Sequence, residues 1–159
     1  MKLLVVGLGN DLLSDDAIGV FAARELSKKV SGLADVVDCN LTGVALLDIL
    51  VGYDKVIIID AIHTGKSPPG TIIEMTPDDL RAIPGTSPHY TGLPEAIAIA
   101  NRLRLDFPDE IKILAVEVTE PLTIGGKLSE PVAKALNRLV QYAKTYLQRW
   151  QEEALKVID

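Results

Sequence analysis

Two histidines, two adjacent aspartates and a third aspartate closing an apolar run are the groups through which this sequence could do chemistry. They are His63, His89, Asp15, Asp16 and Asp60. Taken singly, each has an ordinary reading. Asp15 and Asp16 precede a helical pattern, so one would cap that helix and both would complement its positive end. Asp60 would organise the turn after a strand, and either histidine would sit exposed in a loop. Taken together they say more. His89 lies in a long loop that could face the strand-end carboxylates. Two carboxylates and an imidazole suit a divalent cation, and three protein ligands leave positions open for water or a substrate carbonyl. Nickel, zinc, cobalt and iron all accept such mixed nitrogen and oxygen ligation.

Other chemistries fit less well. Ser14 or Ser87 with His89 lacks the GxSxG elbow of a hydrolase triad. Cys39, alone at the end of a weak apolar run, reads as a small packing residue. A proton-sharing aspartate dyad would need its Asp-Thr/Ser-Gly signature twice, and the signature is absent. Gly7-Leu8-Gly9 opens like a dinucleotide fingerprint, but Leu12 stands where the third glycine belongs. Asp11, Asp15 and Asp16 would also repel a pyrophosphate, and there is no Gly-Lys-Ser/Thr of a P-loop.

The elements that must position these groups follow from the apolar pattern. Short continuous runs at Leu3 to Val6, Val36–Val37, Val56 to Ile59, Thr71 to Met75 and Ile111 to Val118 predict five strands, mostly parallel and buried on both faces. Helical periodicity runs over Ala17 to Val30, Gly43 to Val51, Leu93 to Leu105 and Ser129 to about Lys156, with Pro94 in a first turn and Ser129 as an N-cap. The alternation predicts a three-layer α/β/α sandwich with a mostly parallel five-stranded sheet. Only a loop, Ala61 to Gly70, separates the third and fourth strands. With no crossover helix, those two should run antiparallel. Ligands in such sheets collect at the carboxyl ends of the strands, where the stretches beginning at Gly7, Asp38 and Asp60 lie.

Length and composition bound the rest. The chain has 159 residues, enough for one domain spanning 1–159. Sixteen basic against 22 acidic residues give a net charge of −6, a poor match for nucleic acid or an anionic membrane. The single Cys39 makes no internal disulfide and fits a reducing cytosol. The first apolar run stops at Gly7, too short to span a membrane. The apolar side chains are used by sheet and helices, so a monomer is expected.

Three segments resemble one known family. GLGNDLLSDDAIGV (residues 7–20) resembles the GxGNxLxxDDGxGV motif of the hydrogenase maturation endopeptidases. VIIIDAIHTG (56–65) is similar to that family's apolar strand ending in Asp, and SPHYTGLPEAI (87–97) to its loop histidine and following helix. The resemblance implies an α/β/α fold and a cytoplasmic protease. Its substrate would be the large-subunit precursor of a nickel–iron hydrogenase, which loses a C-terminal extension after nickel insertion. It implies that Asp16, Asp60 and His89 are the metal-binding and catalytic residues, and that the metal is nickel presented by the substrate. Two departures stand out: Ala17 occupies a place where glycine is common, and Asp38-Cys39-Asn40-Leu41-Thr42-Gly43 replaces a more glycine-rich turn.

The expectation is therefore metal-assisted peptide cleavage at Asp16, Asp60 and His89, with Asn10, Thr42 and Gly43 supporting the substrate backbone. The cleft should take an extended tail. A non-cleaving nickel checkpoint or chaperone would use the same three residues, and a same-fold hydrolase with a small substrate is the more remote rival.

Overall fold

The computed structural model describes residues 1–82, 87–119, 123–125 and 127–157. Five strands, β1 (Leu3–Leu8), β2 (Asp35–Cys39), β3 (Lys55–Ile62), β4 (Ile72–Met75) and β5 (Glu110–Glu117), form one sheet in the order β2-β1-β3-β5-β4. The first four of that order are mutually parallel, and β4 pairs antiparallel with β5. The helices are α1 (Ile18–Ser27), α2 (Leu47–Leu50), α3 (Leu93–Arg102) and α4 (Glu130–Lys156). No described helix is long and apolar enough to cross a membrane.

The pleat of the central strands sorts their side chains into two cores. Leu3, Val5, Ile57, Ile59, Leu114 and Val116 join α1 and α4 on one face. Leu4, Val6, Leu8, Ile58, Ile62 and Ile113 join α2 and the start of α3 on the other. The three layers expected from the apolar runs are present. Val132, Ala135, Leu139, Val140, Ala143, Leu147 and Trp150 form the buried stripe of α4.

Two segments differ in detail. Ala17, expected to begin the first helix, instead ends a tight 3-10 turn, Ser14–Ala17, and α1 starts at Ile18. The segment Gly43 to Val51 is likewise a 3-10 turn, Gly43–Leu46, followed by the single turn of α2.

The third and fourth strands do point in opposite directions, as expected, but they are not neighbours. The long, almost wholly buried β5 takes the inner place between them, and short β4, with Glu74 exposed, takes the edge. The connecting loop passes over the end of β5 and is held there by Glu117. That buried carboxylate accepts from the Thr64 amide (3.0 Å), the Thr64 hydroxyl (2.8 Å) and the Gly65 amide (2.8 Å).

Glu74 ties the edge strand to α4. It accepts from the Tyr142 and Tyr146 hydroxyls and pairs with Lys112 at 2.9 Å. Those partners hold its carboxyl down at about 2. A depressed carboxyl stabilises above its ordinary pKa, and that stability is lost as pH falls through the folded value. Because the side chain is a third exposed, solvent screening trims the effect. Glu74→Gln is expected to cost about 1 kcal/mol at pH 7, and urea denaturation should show the deficit shrinking from about pH 4.5 towards pH 2.

Close backbone approach sets the start of α1. A Cβ on Gly19 would lie 2.3 Å from the Leu8 carbonyl oxygen and 2.4 Å from that of Ile59; one on Gly7 would lie 2.2 Å from the Gly19 oxygen. Only glycine lets this helix rest on the ends of β1 and β3. The turn that precedes it, carrying Asp16, is thereby brought over Asp60.

Candidate metal centre

The loop after β1 is tied down at several points. The Gly9 amide donates to the Cys39 carbonyl (3.1 Å), fastening the loop to the end of β2. Arg24 bridges Asp11 (3.1 Å) and Asp38 (3.2 Å) across the same junction. Asn10 folds the loop by accepting the Leu12 amide on its own Oδ1 (3.0 Å). Ser14, at the unusual φ of +24°, is held by the Gly125 carbonyl (2.8 Å) and donates its hydroxyl to the Lys127 carbonyl (2.8 Å). These contacts fix a turn that an unrestrained serine would leave.

The two adjacent aspartates have separate fates. Asp15 accepts the Ser129 amide (2.6 Å) and hydroxyl (2.7 Å), so it secures the start of α4 rather than capping α1. Ser129 occupies the N-cap position as expected, but its side chain is spent on Asp15 instead of on its own helix. Asp16 turns the other way. One of its oxygens accepts the Asn10 amide at 2.7 Å. Ala17 is right-handed, with φ of −74°, which explains why no glycine is needed there.

Asp60 sits at the end of the core-spanning part of β3 and is fully buried. Its Oδ1 accepts the Ala61 amide (2.8 Å), and its Oδ2 accepts the Ser87 hydroxyl (2.6 Å). Burial pushes its carboxyl up to about 7; the nearby His89 and the Ser87 hydrogen bond moderate the rise, and Asp16 adds to it. Ser87 precedes the short turn Pro88–Tyr90 and caps it, its oxygen accepting the His89 amide at 3.3 Å.

His89 is 2% exposed. Its Nδ1 lies 2.9 Å from the Leu41 carbonyl oxygen. A carbonyl only accepts, so Nδ1 carries a proton, and Nε2 is the ring nitrogen that can present a lone pair to a cation. That Nε2 lies 3.9 Å from Asp60 Oδ1, too far for a hydrogen bond. Leu41 belongs to the turn after β2, which meets the histidine loop backbone to backbone. Gly43 has φ of +35°, and a Cβ there would lie 1.7 Å from the Thr91 carbonyl oxygen. The altered turn therefore keeps glycine at the position that requires it.

Asp16, Asp60 and His89 each offer a ligand atom, and these atoms all lie within 4.8 Å of one another. Two donors each roughly 2.0–2.2 Å from one ion lie roughly 3–4 Å apart, so the 3.9 Å gap between His89 and Asp60 fits a cation between them. A bare imidazole nitrogen held by a carbonyl behind it, and two carboxylates, form a donor set suited to a divalent ion.

The remaining residues of interest are distributed around this centre. Asn10 holds Asp16 through its main chain, Gly43 packs on the histidine loop, and Thr42 is exposed beside it. His63 bonds the Val118 carbonyl at 2.8 Å and is no member of the cluster. Burial pushes the Cys39 thiol up, which disfavours a thiolate nucleophile. Ser87 was legible only as a failed triad serine; a Ser-Pro pair before His89 is the signal that marks it as a cap. The Leu41 carbonyl left no trace in the sequence.

Comparison with known proteins places this chain in a family. The family model described as hydrogenase maturation protease matches residues 20–145, which include Asp60 and His89. The hydrogenase 2 maturation protease of Escherichia coli (strain K12) is 33% identical over 127 residues, covering 76% of this chain and 77% of that protein. The hydrogenase expression/formation protein HupD of Thiocapsa roseopersicina is 29% identical over 154 residues, covering 94% and 69%. The solved structure of the hydrogenase maturating endopeptidase HybD from E. coli superposes with a TM-score of 0.81 at 27% identity, over 94% of this chain and 93% of the other. The chain belongs to the hydrogenase maturation protease family, and is a peptidase.

Proposed function

We propose that this peptidase removes a C-terminal extension from the large-subunit precursor of a nickel–iron hydrogenase once nickel is in place, and that Asp16, Asp60 and His89 gather around the nickel that the precursor carries. The observation that carries this reading is the buried trio itself, with the Nε2 lone pair of His89 turned towards Asp60 at 3.9 Å. Three protein donors leave positions open for a precursor group and a water.

A divalent ion held there supplies Lewis acidity to the scissile carbonyl or to the attacking water. The chain's own residues do the rest. The Leu41 carbonyl keeps the imidazole in the tautomer that leaves Nε2 bare. Ser87 and the Ala61 amide orient the Asp60 carboxylate. One of the two carboxylates takes the proton of the water as it attacks. The C–N bond then breaks, and that proton passes to the departing amine. Asn10 and the Thr42–Gly43 turn flank the centre, and Asn10 also lines a depression with Asp11, Arg24, Asp38, Cys39 and Asn40. We assign this rim to the backbone of an extended tail. The reaction is placed in the cytoplasm and the enzyme acts as a monomer.

The test is to mix the purified chain with precursor loaded with nickel, and with precursor free of it, and to weigh the products by mass spectrometry. The reading expects a shortened precursor only in the loaded sample. A stable complex with precursor of unchanged mass would instead identify a non-cleaving nickel checkpoint.

A further inference from the structure

Tyr90 follows His89 in the short turn Pro88–Tyr90, and its ring belongs to the apolar cluster between the sheet and α3. It is 7% exposed. Its hydroxyl is buried and, among the described residues, has no hydrogen-bond partner. An orphaned buried hydroxyl costs stability and calls for a reason. The phenol lies beside Asp60, close enough to interact with its carboxyl, yet it falls short of hydrogen-bond geometry. A phenol is a hydrogen-bond donor at neutral pH. Among the described residues Asp60 has two donors, the Ala61 amide and the Ser87 hydroxyl. A carboxylate can accept about four hydrogen bonds, and a fully buried anion needs its partners.

We propose that the Tyr90 hydroxyl is a positioning group for Asp60, left unpartnered in the metal-free protein and donating to the Asp60 carboxylate when a divalent cation is bound. This rests on the metal-binding reading above and adds a residue to it. The cost of the orphaned hydroxyl in the empty state is recovered on loading, so the group favours binding at the expense of resting stability.

Tyr90→Phe keeps the ring and deletes the donor. The measurements are thermal melting with EDTA, calorimetric titration with Ni(II) alone, and the visible spectrum of the Co(II)-loaded protein. The expected result is a metal-free melting temperature equal to or above that of the wild type, Ni(II) binding weakened about tenfold, and a shifted Co(II) spectrum. Unchanged Ni(II) affinity overturns the proposal. So does a lowered melting temperature or a variant that fails to fold, because an unpartnered hydroxyl has nothing to hold up. His89→Ala separates the two levels. If it loses Ni(II) while Tyr90→Phe retains full affinity, only the role of Tyr90 falls. If His89→Ala binds Ni(II) like the wild type, the metal centre itself is wrong.

Discussion

Asp60→Asn is expected to stop cleavage and, at the same time, to make the metal-free protein more stable at pH 8. On the proposed mechanism the variant lacks one metal ligand and one of the two candidate proton acceptors, which removes several kcal/mol of transition-state stabilisation, on the order of a thousandfold in kcat/KM. The gain in stability follows from burial. Asp60 is fully buried and its carboxyl is raised from 3.8 to about 7. Between those values the folded protein holds a proton that the unfolded chain has lost. Stability therefore falls as pH rises through that window, and the full penalty is in force above about 7. Asparagine has no charge to bury. Urea denaturation with chelator present should find the variant and the wild type similar near pH 4, and the variant ahead by a few kcal/mol at pH 8. Parallel pH profiles would show that the ionised carboxylate is not strained by its surroundings. Metal binding should follow the opposite trend and tighten as pH rises, because protons compete for the same donors.

Gly19→Ala is the second large effect, and it acts at a distance from the chemistry. The added methyl would lie 2.3 Å from one carbonyl oxygen and 2.4 Å from another, both in strand backbone that cannot move aside without disturbing the sheet. Overpacking of this kind costs roughly 3 kcal/mol. Relief by lifting α1 would carry Asp16 away from Asp60. The variant is expected to melt well below the wild type, and any folded fraction to bind Ni(II) weakly. Melting curves and a Ni(II) titration check both. A variant of full stability and full affinity would show that the close approach of α1 to β1 and β3 does not set the site.

Much of this arrangement can be read from local pattern, and the part that cannot has a common cause. Leu3 to Val6 and Val56 to Ile59 are apolar on both faces, so they announce inner strands, and Asp60 interrupts such a run where a carboxylate must have a purpose. The 3.6-residue repeat from Val132 to Trp150 announces α4 as plainly. The opposed direction of β3 and β4 followed from a connection too short for a crossover helix. Their separation by β5 did not, because strand order depends on which run is most thoroughly buried in three dimensions. The same holds for the site. Asp15 and Asp16 are identical in type and adjacent, yet one secures Ser129, 114 residues away, and the other faces Asp60. The Leu41 carbonyl that sets the His89 tautomer is a backbone atom, which no residue type can advertise. Ser87 carries two jobs, a local cap that its neighbours hint at and a long-range bond to Asp60 that they do not.

Diffraction from crystals soaked in Ni(II), recorded at the nickel absorption edge, tests the central claim most directly. The account predicts one strong anomalous peak at roughly 2.0–2.2 Å from a carboxylate oxygen of Asp16, a carboxylate oxygen of Asp60 and Nε2 of His89, with Nδ1 still on the Leu41 carbonyl. A peak elsewhere, or a soaked crystal in which the three side chains stay in place with no nickel among them, would contradict it.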